Sequence, residues 1–422
     1  MKNNRLFNQI SKLNINVFIS LIFSFVFSIL YFRNLSGVDY ILFTATIAIF
    51  RLSNTFATLN LETYLKKIHL IKDKNIVKLE LGNVLKTTLF LLLPIMVLAL
   101  IFNYLLYSNL LLENLFSVSI FLVVSLILAS FLKIIRQFIL FSSDMEGYVD
   151  IEIKVNLILK SLLTIVLFYF VDNLVAALLI NICNQVILYP GLLFFLRKTG
   201  NFPKFSKYKI DYFRKHIDFS FKVLIIESFP KFIYSIAAYL LLKKYDTEIV
   251  ATASFVILII QRVSQTFFIY MYIYNSEISA KLKMPKQIFQ LIRKVFIFSL
   301  FIFTVTSLLL IIFESYVISY ISQINSISNS FVFVFLSFFV FEILRFLSRL
   351  EVFLIQLIGR EDALLKNSLV SLVVTSLIFY LTFTNNLSIN LDILSFSIFY
   401  FVVIYLNHYF LKKVYFKLES QM

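Results

Sequence analysis

Tryptophan is absent from this chain of 422 residues, and glycine (6), proline (5), histidine (3) and cysteine (1) are all scarce. The single thiol, Cys183, excludes an internal disulfide and any CxxC metal or redox motif. His69, His216 and His408 are scattered and, with one cysteine, make no metal site. So few glycines cannot supply GxxxG seams, and Ser, Ala and Thr must provide the small surfaces between packed helices. Charged residues make up only 15% of the chain against 60% hydrophobic, which excludes an ordinary soluble domain. Walker, GxSxG and HExxH motifs are missing too, so nothing supports nucleotide-driven work or hydrolytic chemistry, and no cofactor is implied.

What the chain has is apolar length, with a mean hydropathy of +0.90. Runs long enough to cross a bilayer fall at roughly 13–32, 40–64, 87–107, 115–142, 153–172 and 174–196. A second set follows at about 219–242, 248–275, 291–313, 330–357, 363–384 and 389–411. The run from Leu13 to Phe32 has no small-residue cleavage site after it and reads as a retained helix, not a signal peptide. Basic residues crowd alternate loops, among them Lys66 to Lys86, Arg197 to Lys215 and Lys281 to Lys294. The intervening loops hold only Arg33, Lys243 and Lys244, which puts both termini in the cytoplasm. Pro94 and Pro230 lie inside spans, where each is expected to bend its helix.

Landmarks recur at half the length. Arg51-Leu52-Ser53-Asn54-Thr55-Phe56 returns as Arg262-Val263-Ser264-Gln265-Thr266-Phe267, displaced by 211 positions. Gly147, Asp150 and Lys154 return as Gly359, Asp362 and Lys366, and Lys133 as Arg345, each displaced by 212. The linker from Arg197 to Asp218, with Gly200 and Pro203, marks the boundary. The expected architecture is an all-α integral membrane protein with about twelve transmembrane helices in two six-helix lobes, residues 1–200 and 201–422.

Within those spans basic residues outnumber acids. Arg51, Lys133, Lys160, Lys231, Arg262 and Arg345 are expected to line a central cationic cavity, with Glu227, Glu342 and Glu351 the acids that fall clearly within spans. Lys154, Lys222, Arg349 and Arg136 lie nearer the span ends, where snorkelling to headgroups competes with a cavity role. Arg51, Thr55, Thr58 and Glu62 share one helix side, as do Ser125, Ala129, Lys133 and Arg136, and Glu342, Arg345 and Arg349. Glu227 and Lys231 stand four apart beside Pro230, either as a helix-stabilising ion pair or as a switchable pair for coupling. For His408, a helix-to-helix hydrogen bond stands beside a proton relay.

The pattern resembles the multidrug/oligosaccharidyl-lipid/polysaccharide exporter superfamily, and within it the O-antigen and polysaccharide (Wzx-type) flippases. Leu35-Ser36-Gly37-Val38-Asp39-Tyr40-Ile41-Leu42-Phe43 is similar to that branch's Leu-Gly-x-x-x-Tyr-Gly-Leu-Phe segment, with Ile41 in place of a glycine and Gly37 shifted by one. Leu59-Asn60-Leu61-Glu62-Thr63 sits where the family has Gly-Leu-Ser-Thr, and Gly147 to Lys154 where it has a Gly-x-x-Arg turn. The resemblance implies flipping of an undecaprenyl-diphosphate-linked oligosaccharide across a bacterial plasma membrane, for O-antigen or capsule-type polysaccharide. The implied partners are that lipid-linked glycan, membrane lipids and other polysaccharide-assembly proteins, with no nucleic acid. Interior guanidinium and ammonium groups fit a diphosphate. A drug/cation antiporter of the same superfamily shares the fold but needs acids. A polysaccharide polymerase or ligase needs a sizeable external loop, and the longest external gap here is about 17 residues.

Overall fold

The computed structural model describes, with short gaps, residues 30–65, 74–141, 160–205, 210–260 and 330–419, and a few positions between 290 and 304. The spans expected at 13–32, 248–275 and 291–313, with Arg262 and Gly147, lie wholly or mainly outside the described residues. The framework is α1 (Gly37–Thr58), α2 (Lys74–Leu111), α3 (Leu115–Phe141), α4 (Lys160–Phe170), α5 (Leu174–Lys198), α6 (Ile210–Leu242), α7 (Ser330–Leu357), α8 (Glu361–Thr384) and α9 (Ile389–Glu419). Among the described residues there is no strand. Seven of the helices among the described residues (α1, α2, α3, α5, α6, α8 and α9) are long and apolar enough to cross a membrane.

By contacts the chain forms two compact units, Met1–Thr247 and Glu248–Met422. In the first unit α1 is the hub, packing against α2, α3, α5 and α6. Its most apolar stretch is 78% buried, against 17% for α2. Such a helix cannot be read as amphipathic, because neighbours cover all its sides. The outer helices instead expose apolar faces, such as Leu89, Phe90, Leu93 and Val97 of α2. On a chain this hydrophobic those faces suit lipid. In the second unit α9 packs along both α7 and α8.

The ends of α1 are written in local chemistry. Ser36 accepts from the Asp39 N–H at 3.1 Å and donates to the Asp39 carboxylate at 2.9 Å, which caps the first turn. At the other end Leu59 adopts φ 46, a left-handed cap whose N–H reaches the Phe56 carbonyl. The helix therefore stops at Thr58, short of the residue-64 end expected from hydropathy. In α2 the departure from helical backbone is at Tyr107 (φ −126°, ψ 19°) and not at Pro94. Gly359, at φ 74, lets the Arg360 N–H return to the Ile355 carbonyl at 3.1 Å, closing α7 before α8 begins.

Candidate functional site

In the first unit a polar track runs along the last two turns of α1. Asn54, Thr55 and Thr58 are all buried, and Arg51 is half-buried one turn earlier. The Thr55 hydroxyl donates to the Arg51 carbonyl at 2.9 Å, and the Thr58 hydroxyl to the Asn54 carbonyl at 2.9 Å. Each hydroxyl has only one proton, so both are left to present lone pairs outward. Two lysines from different helices take those lone pairs. Lys231 of α6 donates to Thr55 Oγ1 at 2.6 Å, and Lys133 of α3 donates to Thr58 Oγ1 at 3.0 Å. Beside them Ser130 of α3 donates to Asn54 Oδ1 at 3.0 Å.

The spacing has a consequence for charge. Residues three apart on a helix lie about 5–6 Å from each other, so the two threonines gather both ammoniums beside one turn of α1. Glu227 is buried one turn before Lys231 on α6. Arg51, Lys133 and Lys231 against Glu227 leave the local balance positive. A positive, part-buried cluster held by neutral hydroxyls suits a phosphate or carboxylate more than an organic cation.

Arg345 on α7 directs one guanidinium nitrogen at both oxygens of Glu342, at 2.7 and 2.9 Å, so its charge faces a fully buried acid of its own helix. Lys160 opens α4. Arg262 lies outside the described residues. His408 contacts Glu351 at 3.3 Å, which joins α9 to α7 as a helix-to-helix contact. No group of three or more metal-ligating side chains occurs among the described residues.

Asn54 and Ser130, which pair across α1 and α3, are functional candidates that hydropathy and charge do not single out. Asn54 falls within the repeated Arg51–Phe56 segment, the signal that could have singled it out. The linker expected from Arg197 to Asp218 includes His216. His216 instead lies within α6, with no exposed surface.

Comparisons bear on the whole chain. No family model matches it, and no curated protein matches it significantly. Solved structures do. A MATE in complex with MaL6 is similar at a TM-score of 0.65 and 13% identity, over 97% of this chain and 96% of that one. An inward-facing multidrug resistance MATE family transporter of the MOP superfamily gives 0.60 and 12%, over 96% and 98%. The bent form of the Vibrio cholerae MATE transporter VcmN gives 0.59 and 14%, over 96% and 97%. At such identities the likeness is one of fold: the helices described above follow the architecture of MATE transporters.

Proposed function

We propose that the chain is a multi-pass membrane transporter, not an enzyme, working by alternating access. The likeness to MATE structures over nearly all of its length supports this, as do the seven membrane-long apolar helices among the described residues. For the cargo we infer an anionic headgroup, with a polyprenyl-diphosphate-linked oligosaccharide flipped across a bacterial plasma membrane as the reading that fits best. The observation that carries it is the gathering of Lys133 and Lys231 on Thr58 and Thr55, beside Arg51. In this reading Arg51, Lys133 and Lys231 supply the cationic lining in the first unit, with Arg262 the counterpart of Arg51 in the sequence repeat and both termini in the cytoplasm.

A second reading, a drug/cation antiporter, is favoured by what the solved neighbours are described as, one of them a multidrug resistance transporter. Cargo, however, is set by side chains grafted on a fold and not by the fold itself. Reconstituted protein separates the two readings. Flipping of a fluorescent lipid-diphosphate oligosaccharide without efflux of an organic dye cation supports the first reading. The converse selects the second, and neither activity from folded, correctly inserted protein sinks the transporter reading.

Coupling is assigned to Glu227, whose protonation would change the net charge beside Lys231 and Thr55. Glu227→Gln is expected to flatten the pH dependence of transport while leaving cargo binding within about twofold. A mutant profile superimposable on the parent's leaves Glu227 a structural partner only.

A further inference from the structure

A second polar cluster lies where α2, between Glu80 and Thr87, meets His216 of α6. His216 of α6 has no exposed surface, and its two ring nitrogens face different partners. Nδ1 lies 3.0 Å from Thr87 Oγ1 of α2, and Nε2 lies 3.6 Å from Glu80 Oε2 of α2. Nε2 and Oε2 are both buried, and at 3.6 Å neither completes a hydrogen bond among the described residues, while the Tyr64 hydroxyl and the Asn83 side chain also lie against the Glu80 carboxylate. Two lone pairs facing each other there would leave both atoms unsatisfied in a buried site. A proton therefore belongs between them.

Thr87 allows a second proton to enter. Its hydroxyl sits 3.0 Å from the Asn83 carbonyl as well as 3.0 Å from Nδ1. With a neutral imidazole protonated on Nε2, the hydroxyl turns its hydrogen to Nδ1. With a doubly protonated imidazole, Nδ1–H donates to the hydroxyl oxygen, and the hydroxyl hydrogen turns to the Asn83 carbonyl. Both states satisfy every ring nitrogen, with no side chain moving. A carboxylate on one side and a reversible hydroxyl on the other make a buried imidazole that can change charge.

The surroundings are defined on every element packed against the ring. From α2 come Glu80, Asn83 and Thr87, and from α6 come Lys215, 3.8 Å from Glu80 Oε1, and Tyr212, whose ring centroid is 6.5 Å away. Tyr64, ahead of α2, packs its ring edge-on to the imidazole at 5.0 Å, with the Lys215 ammonium 5.2 Å above the tyrosine. Farther along, Tyr107 of α2 donates to the Ser235 carbonyl of α6 at 2.7 Å. The intervals Thr87–Tyr107 and His216–Ser235 are nearly equal, so α2 and α6 run parallel with clasps about 30 Å apart.

We propose that Glu80, His216 and Thr87 form a reversible proton-binding site clasping α6 to α2, distinct from the lysine track and independent of which cargo is carried. The test uses the full-length purified protein with ring-15N-labelled histidine, its resonances followed through a pH titration by NMR. His69 and His408 serve as internal references, assigned by single substitution. His216 is expected to pass from an Nε2–H neutral ring to a doubly protonated one. Thr87→Val removes the acceptor for Nδ1–H, and should raise the proton concentration needed at least about tenfold, while Thr87→Ser should titrate like the parent. A His216 ring that keeps one protonation state throughout, or a valine variant titrating like the parent, overturns the proposal. Loss of folding in the valine variant alone does not decide it, because Glu80→Gln makes the same prediction of a higher proton requirement.

Discussion

At the scale of single residues, Thr55 and Thr58 do work that their size conceals. Each spends its only proton on its own helix and so must accept from the lysine opposite. A hydrogen bond to a charged donor is worth about 1.5–3 kcal/mol, and half-burial of the lysines places these toward the lower end. Thr55→Val and Thr58→Val keep shape but remove the lone pairs. Each should lower transport by about tenfold with little change in the amount of folded protein, whereas Thr55→Ser should recover it. Full transport by the double valine variant would show that the hydroxyls position nothing. The lysines themselves were legible in the sequence, because an ammonium in an apolar run has few bland explanations. Thr55 and Thr58 were legible as sharing Arg51's side of the helix but not as partners of the lysines, because a threonine in a membrane helix most often bonds only to its own backbone, as Thr44 does here. Depth alone also said nothing about Arg345, whose neighbour three residues earlier supplies its acid.

At the scale of elements, hydropathy located the helix bodies well and their ends unevenly. The runs expected at 115–142, 330–357 and 363–384 match α3, α7 and α8 to within two residues. By contrast α2 begins at Lys74 and α6 at Ile210, well before the apolar runs they carry. Both extensions are charged, so an apolar window stops short of them, although a helix continues as long as its backbone is satisfied. Glu80 and His216 sit in these extensions, which is why they read as loop residues. The segment 202–205 is bound there too. Lys204 donates its N–H to the Lys78 carbonyl at 3.1 Å and its ammonium to Asn75 at 3.2 Å. The close approach depends on Gly82, where an added Cβ would overlap the Lys204 carbonyl oxygen. Backbone cannot yield as a side-chain tip can, so Gly82→Ala should lift this strap at a cost of about 1–3 kcal/mol. A fall in the thermal midpoint and new protease cleavage near residues 200–205 would register it. An alanine variant with unchanged midpoint and cleavage pattern would mean that the strap contributes nothing.

At the scale of the whole molecule, the repeat displaced by 211 positions sets an arginine in each half at matching places, Arg51 and Arg262. The fold likeness extends over nearly the full chain, so the helical membrane fold was legible from the apolar runs. Cargo was not, because a fold likeness fixes helices and leaves the polar side chains to argue separately. A guanidinium near the bilayer centre costs about 2.5–3.5 kcal/mol even on the most lenient scale, and such a cost in duplicate asks for a duplicated return. A forked guanidinium–phosphate contact supplies one, since its paired N–H donors match two phosphate oxygens. Arg51 already stands beside the Thr55–Lys231 contact, at the edge of the positive track. Lysine is the sharper probe at this position, for it keeps the charge and loses the fork. With protein present in the membrane at parental levels, Arg51→Lys and Arg262→Ala should each reduce transport of an anionic lipid-linked cargo by at least about tenfold. Retained transport in both variants removes the arginines from cargo binding. Loss of folded protein in Arg51→Lys, where the charge is intact, would instead assign the guanidinium to holding helices together.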